Sequence, residues 1–275
     1  MQPNAGCGIK FKMPFTSDNF TSAIIAASIA GFGATTLGAV PALFLRRLNE
    51  RVNNNLLSFA AGVMLAATIF SLLLPAINIM KVRGASITVS ALQAIASLCL
   101  GGLAIWAMDK LIPHKHFDKM HDDFGASRLK KIWLFVLAIA IHNFPEGLSV
   151  GVASASGDAA IGFGATLGIA LQNVPEGLSV AIALQSQGYS KKYSFGVSAL
   201  TGLVEIFGGA FGAGILVVSE ALLPWALAFA AGSMLFIVSD EIIPETHRPG
   251  LESGATFSLF VGFGLMMFLD SVFAQ

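Results

Sequence analysis

His142 and Glu146 lie four residues apart, and Gln172 and Glu176 repeat that spacing. On a helix, residues four apart stand one above the other on a single face. Asn143 and Asn173 follow directly in each segment, and a third apolar stretch, Gly202-Leu203-Val204-Glu205, adds another carboxylate. One imidazole, three carboxylates and several amide oxygens make a mixed nitrogen and oxygen donor set. Such a set suits Zn, Fe, Mn, Co, Ni or Cd better than Cu(I) or Na, because imidazole favours transition metals and no thiolate is present to favour copper. Three bridging carboxylates have the capacity for two divalent ions.

These carboxylates sit in apolar surroundings with no Lys or Arg inside the same segments. A charged side chain at the centre of a bilayer costs roughly 2.5–3.5 kcal/mol on insertion scales. Either the carboxyls are protonated at rest or a bound cation neutralises them. Pro145 and Pro175 precede the first two glutamates. A proline removes a backbone donor and frees the carbonyl four residues back, here Ile141 and Leu171, toward the same space.

The elements that position these groups are membrane helices. The 275-residue chain is 55% hydrophobic and 12% charged, with 16 basic and 16 acidic residues, and its mean hydropathy is +0.75. Soluble domains carry about 25% charged residues. The composition excludes an ordinary soluble domain, and the charge balance argues against a nucleic-acid partner. Cys7 and Cys99 are not paired by any spacing rule. Eight apolar segments are predicted near 21–45, 55–78, 86–108, 131–155, 160–186, 194–218, 223–243 and 255–273. A polar tail, 1–20, precedes a single transmembrane domain, 21–275. The longest polar interruption, about 109–131, carries His114, His116 and His121. Twelve of the 16 Lys and Arg follow odd-numbered spans, and only Lys10, Lys12, Lys81 and Arg83 lie on the other side. The positive-inside rule then places both termini outside and the His-containing loop in the cytosol.

Two internal repeats have architectural force. HNFPEGLSV matches QNVPEGLSV at an offset of 30 (His142 against Gln172), and FAAGVML matches FAAGSML at an offset of 170 (Phe59 against Phe229). Each pair spans an even and an odd segment, so its members run in opposite directions. Inverted repeats of this kind build secondary transporters with a site near the midplane. Ser71 lies deep in the second span, Asp109 ends the third, Asp240 and Glu241 end the seventh and Asp270 lies near the outer end of the eighth. They are candidates to line the way in and out. GxxxG spacings at Gly147–Gly151, Gly164–Gly168 and Gly208–Gly212 point to close packing within one bundle more than to a dimer seam.

HNFPEG, QNVPEG, GLVEIFG and SDEIIPETHR resemble the signatures of the ZIP (Zrt/Irt-like) metal transporters, especially the GufA-like branch, and the likeness covers nearly the whole chain after its N-terminal tail. The resemblance implies an all-α, eight-helix integral membrane bundle in which helices 1–3 and 6–8 are related by inversion around helices 4 and 5. It also implies a binuclear site, a homodimer, and zinc as principal substrate with Cd, Fe or Mn as others, Cd2+ serving as a surrogate. By that likeness His142, Glu146, Gln172, Glu176 and Glu205 form the first metal position. Asn143 and Asn173 belong to the second, Asp240 and Glu241 to metal release and Asp270 to metal access. Asn173 stands where some relatives have Asp, Ile206 where Pro is frequent, and Asn78 where some relatives have an acid. The expected function is movement of divalent cations toward the cytosol across a plasma membrane, the inner membrane if the source is bacterial. The His-containing loop is a candidate cytosolic metal binder. Two other classes fit less well. An intramembrane zinc hydrolase lacks its H-E-x-x-H, and a proton-coupled carrier of organic or alkali substrates leaves the imidazole unexplained.

Overall fold

The computed structural model describes residues 17–45, 48–111, 128–186 and 188–273. The tail to residue 16, Arg46, Arg47 and residues 112–127 lie outside the described residues, and His114, His116 and His121 with them. The described residues form eight helical rods: α1 (Asp18–Leu43), α2 (Glu50–Val82), α3 (Ile87–Leu111), α4 (Arg128–Ala155), α5 (Ala159–Ser186), α6 (Lys191–Val218), α7 (Glu220–Thr246) and α8 (Glu252–Phe273). Seven of them, all but α4, combine the length and apolarity of a membrane span. The 28 residues of α4 rise about 42 Å, enough to cross as well. The rods overrun the predicted apolar limits because polar caps start them. Asn49 accepts from Arg51 N (2.9 Å) at α2, Ser190 from Tyr193 N (3.3 Å) at α6, and Asp158 from Ala160 N (2.9 Å) at α5. Between α4 and α5 the chain turns at Gly157, whose φ of +77° favours glycine. Large side chains such as Phe207, Phe211, Phe257, Phe260 and Phe268 are exposed, which suits a surface solvated by acyl chains.

Several rods are locally interrupted. Single π-helical turns occur in α1 (Ser28–Gly33), α2 (Thr68–Leu73) and α7 (Val238–Ile242), and α6 breaks at Gly202 between Lys191–Thr201 and Leu203–Val218. With Ile206 in place of a proline, a straighter sixth helix is expected; the interruption instead falls three residues before Glu205. Helices α4 and α5 continue unbroken through Pro145 and Pro175.

The packing obeys the inversion that the repeats imply. α2 packs on α8 and α3 on α7, while α1 packs on α5 and α6 on α4. The closest approaches correspond residue by residue. A methyl on Gly62 would collide with the carbonyl oxygen of Leu259, and one on Gly232 with that of Leu98. Likewise Gly38 abuts Val174 O and Gly208 abuts Phe144 O. Gly62 and Gly232, like Gly38 and Gly208, are separated by the offset of 170 seen between Phe59 and Phe229. Gly147, Gly151, Gly208 and Gly212 all spend their missing side chains on α4–α6 contact inside one chain. Helices gain no hydrophobic drive from one another in lipid, so such close backbone contact is what holds them together.

Gly62→Ala and Gly232→Ala are therefore expected to lower thermal stability in detergent by similar amounts, about 1–3 kcal/mol each for overpacking. Gly264→Ala, where a methyl meets nothing within 4 Å, should leave the melting temperature unchanged.

Candidate metal centre

Four rods bring the candidate residues together where α4 and α5 cross α1 and α6. Asn143 and Glu146 are buried on α4, and Gln172 and Asn173 are buried on α5, both at 0% exposure. Glu176 is half-buried on α5, and Glu205, also at 0% exposure, projects from the first turn of the second part of α6. The three carboxyls lie within electrostatic reach of one another.

The π-helical turn of α1 forms the floor under Glu205. Asn173 Nδ2 donates both to Ala30 O of that turn (2.7 Å) and to Glu205 Oε1 (2.7 Å). A Cβ on Gly31 would stand 2.5 Å from the Cβ of Glu205, so α6 reaches this depth because residue 31 has no side chain. π-turns of this kind concentrate at functional positions in helices. Neither Gly31 nor the turn is legible from the motifs.

What remains is a set of buried polar atoms without partners, two of them the amide donors Asn143 Nδ2 and Gln172 Nε2 and the rest oxygens. Asn143 Oδ1, Glu146 Oε2, Gln172 Oε1, Asn173 Oδ1 and Glu205 Oε2 are buried and have no hydrogen-bond partner among the described residues. The Gln172 amide lies beside Glu146 without a well-aligned hydrogen bond. An unsatisfied buried polar atom costs about 1–3 kcal/mol, more when charged, so five in one place call for a cationic guest or ordered water. Among the described residues, no three His, Cys, Asp or Glu side chains stand close enough to enclose an ion by themselves. The amide oxygens are then needed to complete any shell.

His142 takes a different position. Its Nε2 lies 2.6 Å from Glu241 Oε2 on α7, in the π-helical turn Val238–Ile242. The sequence reading placed Glu241 at a span end as a release group; the structure brings it onto the imidazole. The neighbouring Asp240 is exposed. Toward the opposite end of the bundle, Ser71 Oγ donates to Asp270 Oδ1 (2.7 Å), and Gly164 of α5 closes on the pair, since a Cβ there would stand 2.9 Å from Asp270 Oδ1. Ser71 lies in the π-helical turn of α2 and is separated from Glu241 by 170 residues. The two π-turns thus present repeat-related positions, a hydroxyl at one end and a carboxylate at the other. Asp109 lies in the last turn of α3.

Comparison with known proteins decides the family. A family model described as ZIP Zinc transporter matches residues 113–270. The zinc transporter GufA of Myxococcus xanthus is 42% identical over 247 residues, covering 90% of this chain and 97% of the relative. The zinc transporter ZIPB of Bordetella bronchiseptica is 44% identical over 242 residues, with 88% and 78% covered. This chain belongs to the ZIP family. The human zinc transporter ZIP11 is a more distant relative, 31% identical over 322 aligned positions. As a ZIP protein the chain is a multi-pass membrane transporter and not an enzyme, which sets aside the intramembrane hydrolase. The GufA-like resemblance read from the PEG motifs agrees with the GufA match.

Asn173 donates to the site carboxylate Glu205 at 2.7 Å, so its replacement is informative. Asn173→Asp substitutes a second acid for the donor that holds Glu205, and in metal-free protein at neutral pH it should cost about 1–3 kcal/mol. Differential scanning fluorimetry in chelator should show the lower melting temperature, and an unchanged one would mean the Asn173–Glu205 bond contributes nothing.

Proposed function

We propose that this ZIP protein carries Zn2+ across the membrane toward the cytosol through an intramembrane site built from His142, Asn143, Glu146, Gln172, Asn173, Glu176 and Glu205. The observation that carries the reading is the group of five buried oxygens without partners on α4, α5 and α6. Divalent cations would supply these oxygens with a partner and offset carboxylate charge that no Lys or Arg among the described residues neutralises. The names of the relatives, zinc transporters in each case, support zinc as the ion. The oxygen-rich donor set with a single imidazole also admits Cd2+, Fe2+ and Mn2+.

Glu146 and Glu176, at equivalent places in the two PEG motifs, are the bridging groups for a pair of ions, with Asn143 and Asn173 completing the second position. Ser71 and Asp270 form the access end and Glu241, with Asp240 and Asp109, the release end. In the state described, His142 leans toward release through Glu241. An ion moving inward exchanges Glu205 and Glu146 for His142 and Glu241, each step replacing one partial shell by another. The proposal includes both termini outside, a homodimer in a plasma membrane or bacterial inner membrane, and metal capture by His114, His116 and His121 in the cytosolic loop.

Purified protein in liposomes loaded with a zinc-sensitive dye tests the reading. Wild type should give saturable Zn2+ influx, competed by Cd2+. His142→Ala and Glu176→Ala should fall at least about tenfold, the loss expected when a ligand, and for Glu176 its charge as well, is removed from a buried ion, while still inserting and remaining folded. Undiminished influx in both variants would reject the site.

A further inference from the structure

The first part of α6 carries a hydroxyl on one face at every turn. Ser194, Ser198 and Thr201 recur at intervals of four and three residues, and Glu205 continues the series four residues on. Residues so spaced share a helix face, and all four are buried, Ser194, Ser198 and Glu205 at 0% exposure. The series therefore runs inside the protein from the start of α6 to the metal centre. The offset of 170 maps it onto Ile24, Ser28, Gly31 and Thr35 of α1. There Ile24 and Gly31 replace the first and third hydroxyls, and Ser28 Oγ is spent on Ile24 O at 2.7 Å. The hydroxyl face belongs to the α6 half alone.

Ser198 Oγ donates to Gly177 O of α5 (2.7 Å) and Thr201 Oγ1 to Ser198 O (2.7 Å), and each hydroxyl retains lone pairs that can accept. Ser194 Oγ has no hydrogen-bond partner among the described residues, and neither does Oγ1 of the buried Thr35. A buried Ser or Thr on a helix commonly donates to the carbonyl four residues back, as Ser58 does to Asn54 O (2.9 Å) and Thr68 to Met64 O (2.8 Å). Thr35 is held against the hydroxyl face. Its Cβ lies 3.0 Å from where a Cβ on Gly202 would stand, and its carbonyl abuts Gly177, whose own carbonyl takes the Ser198 hydroxyl. At the other end Tyr189 packs on Val180 and Leu184 of α5 together with Val197 of α6. Its buried hydroxyl is likewise without a partner among the described residues.

Three buried hydroxyls without protein partners around one helix call for ordered water. Successive rungs are about 4.5–6 Å apart along the axis, the span of one water making two hydrogen bonds of about 2.8 Å. We infer that α6, with Thr35 of α1 and with Tyr189 at the mouth, lines a file of ordered water that runs from the end where α6 begins to Glu205. This rests on the transport reading above, in which that end is cytosolic. No Asp, Glu, Lys or Arg lies between Ser194 and Glu205. Hydroxyls trade hydrogen bonds with water but lack the charge to hold a divalent ion, so the file passes water and not the ion. Water delivered to Glu205 takes the ion's place as the ion moves on to His142 and Glu241. The α1 half, with Ile24 and Gly31 in place of Ser194 and Thr201, delivers none.

A crystal or electron-microscopy map of the full-length protein that resolves ordered water should show water within hydrogen-bond reach of Thr35 Oγ1 and Ser194 Oγ. Ser194→Val and Ser194→Thr add the same bulk, but only the threonine keeps a hydroxyl. In liposomes Ser194→Val should turn over Zn2+ about three- to tenfold more slowly than Ser194→Thr, the range for one lost hydrogen bond. Both variants should show one Zn2+ Kd by titration, because Ser194 does not touch the ion. A map in which both hydroxyls close on backbone carbonyls with no water between overturns the inference, and so does equal turnover in the two variants. A Kd weakened in Ser194→Val alone overturns it as well, since that outcome makes the hydroxyl a ligand. Should wild type itself move no Zn2+, the transport reading fails and the map alone decides the water file.

Discussion

Carboxylates placed inside a lipid-spanning bundle, with no Lys or Arg partner among the described residues, are the constraint on which the rest depends. Glu146 and Glu205 are buried, and each leaves an oxygen without a hydrogen-bond partner among the described residues. Bulk water does not reach bilayer depth, so ordered water or a cation must make up the deficit. The surrounding features follow from keeping such groups tolerable. Asn173 donates to Glu205, the α1 π-turn exposes the Ala30 carbonyl that orients Asn173, and Gly31 leaves room for the whole arrangement.

A site of this kind demands helices at close quarters, since small polar groups such as Asn143 and Asn173 reach only a few ångströms. Glycine provides the approach. Gly147 against Glu205, Gly208 against Phe144 and Gly38 against Val174 put backbone directly on backbone, so α1 and α6 can present side chains into the α4–α5 pair. The same device ties α2 to α8 and α3 to α7 through Gly62 and Gly232. One packing rule, used twice with opposite chain direction, generates both the framework and the walls of the site.

The two halves depart from that symmetry at their polar residues. His142 faces Glu241 across 2.6 Å, whereas their counterparts, Gln172 and Ser71, form no such pair and Ser71 turns to Asp270 instead. Glu205, whose carbonyl abuts Gly147, has as its counterpart at the offset of 170 Thr35, whose carbonyl abuts Gly177. Repeat-related positions thus differ in charge and in partner, while the helix framework that both halves share is unaltered.

The sequence alone was enough for the class of protein, the number of spans, the paired PEG motifs and the family, because these depend on apolar run length and on short-range spacing. The buried ligand candidates on α4, α5 and α6 were legible for the same reason: a charged or amide side chain in an apolar run has few other uses. Tertiary structure decided what no local spacing encodes. It brought Glu241 of α7 onto His142 of α4, joined Ser71 to Asp270, interrupted α6 at Gly202 rather than leaving it straight, and inserted π-turns in α1, α2 and α7. Each of these is a contact or a hydrogen-bond register fixed by how two distant helices meet. The offset of 170 did carry a trace of it, since it pairs Glu205 with Thr35 and Glu241 with Ser71, but the pairing acquires meaning only when the backbones of α1 and α6 are seen to make equivalent contacts with α5 and α4.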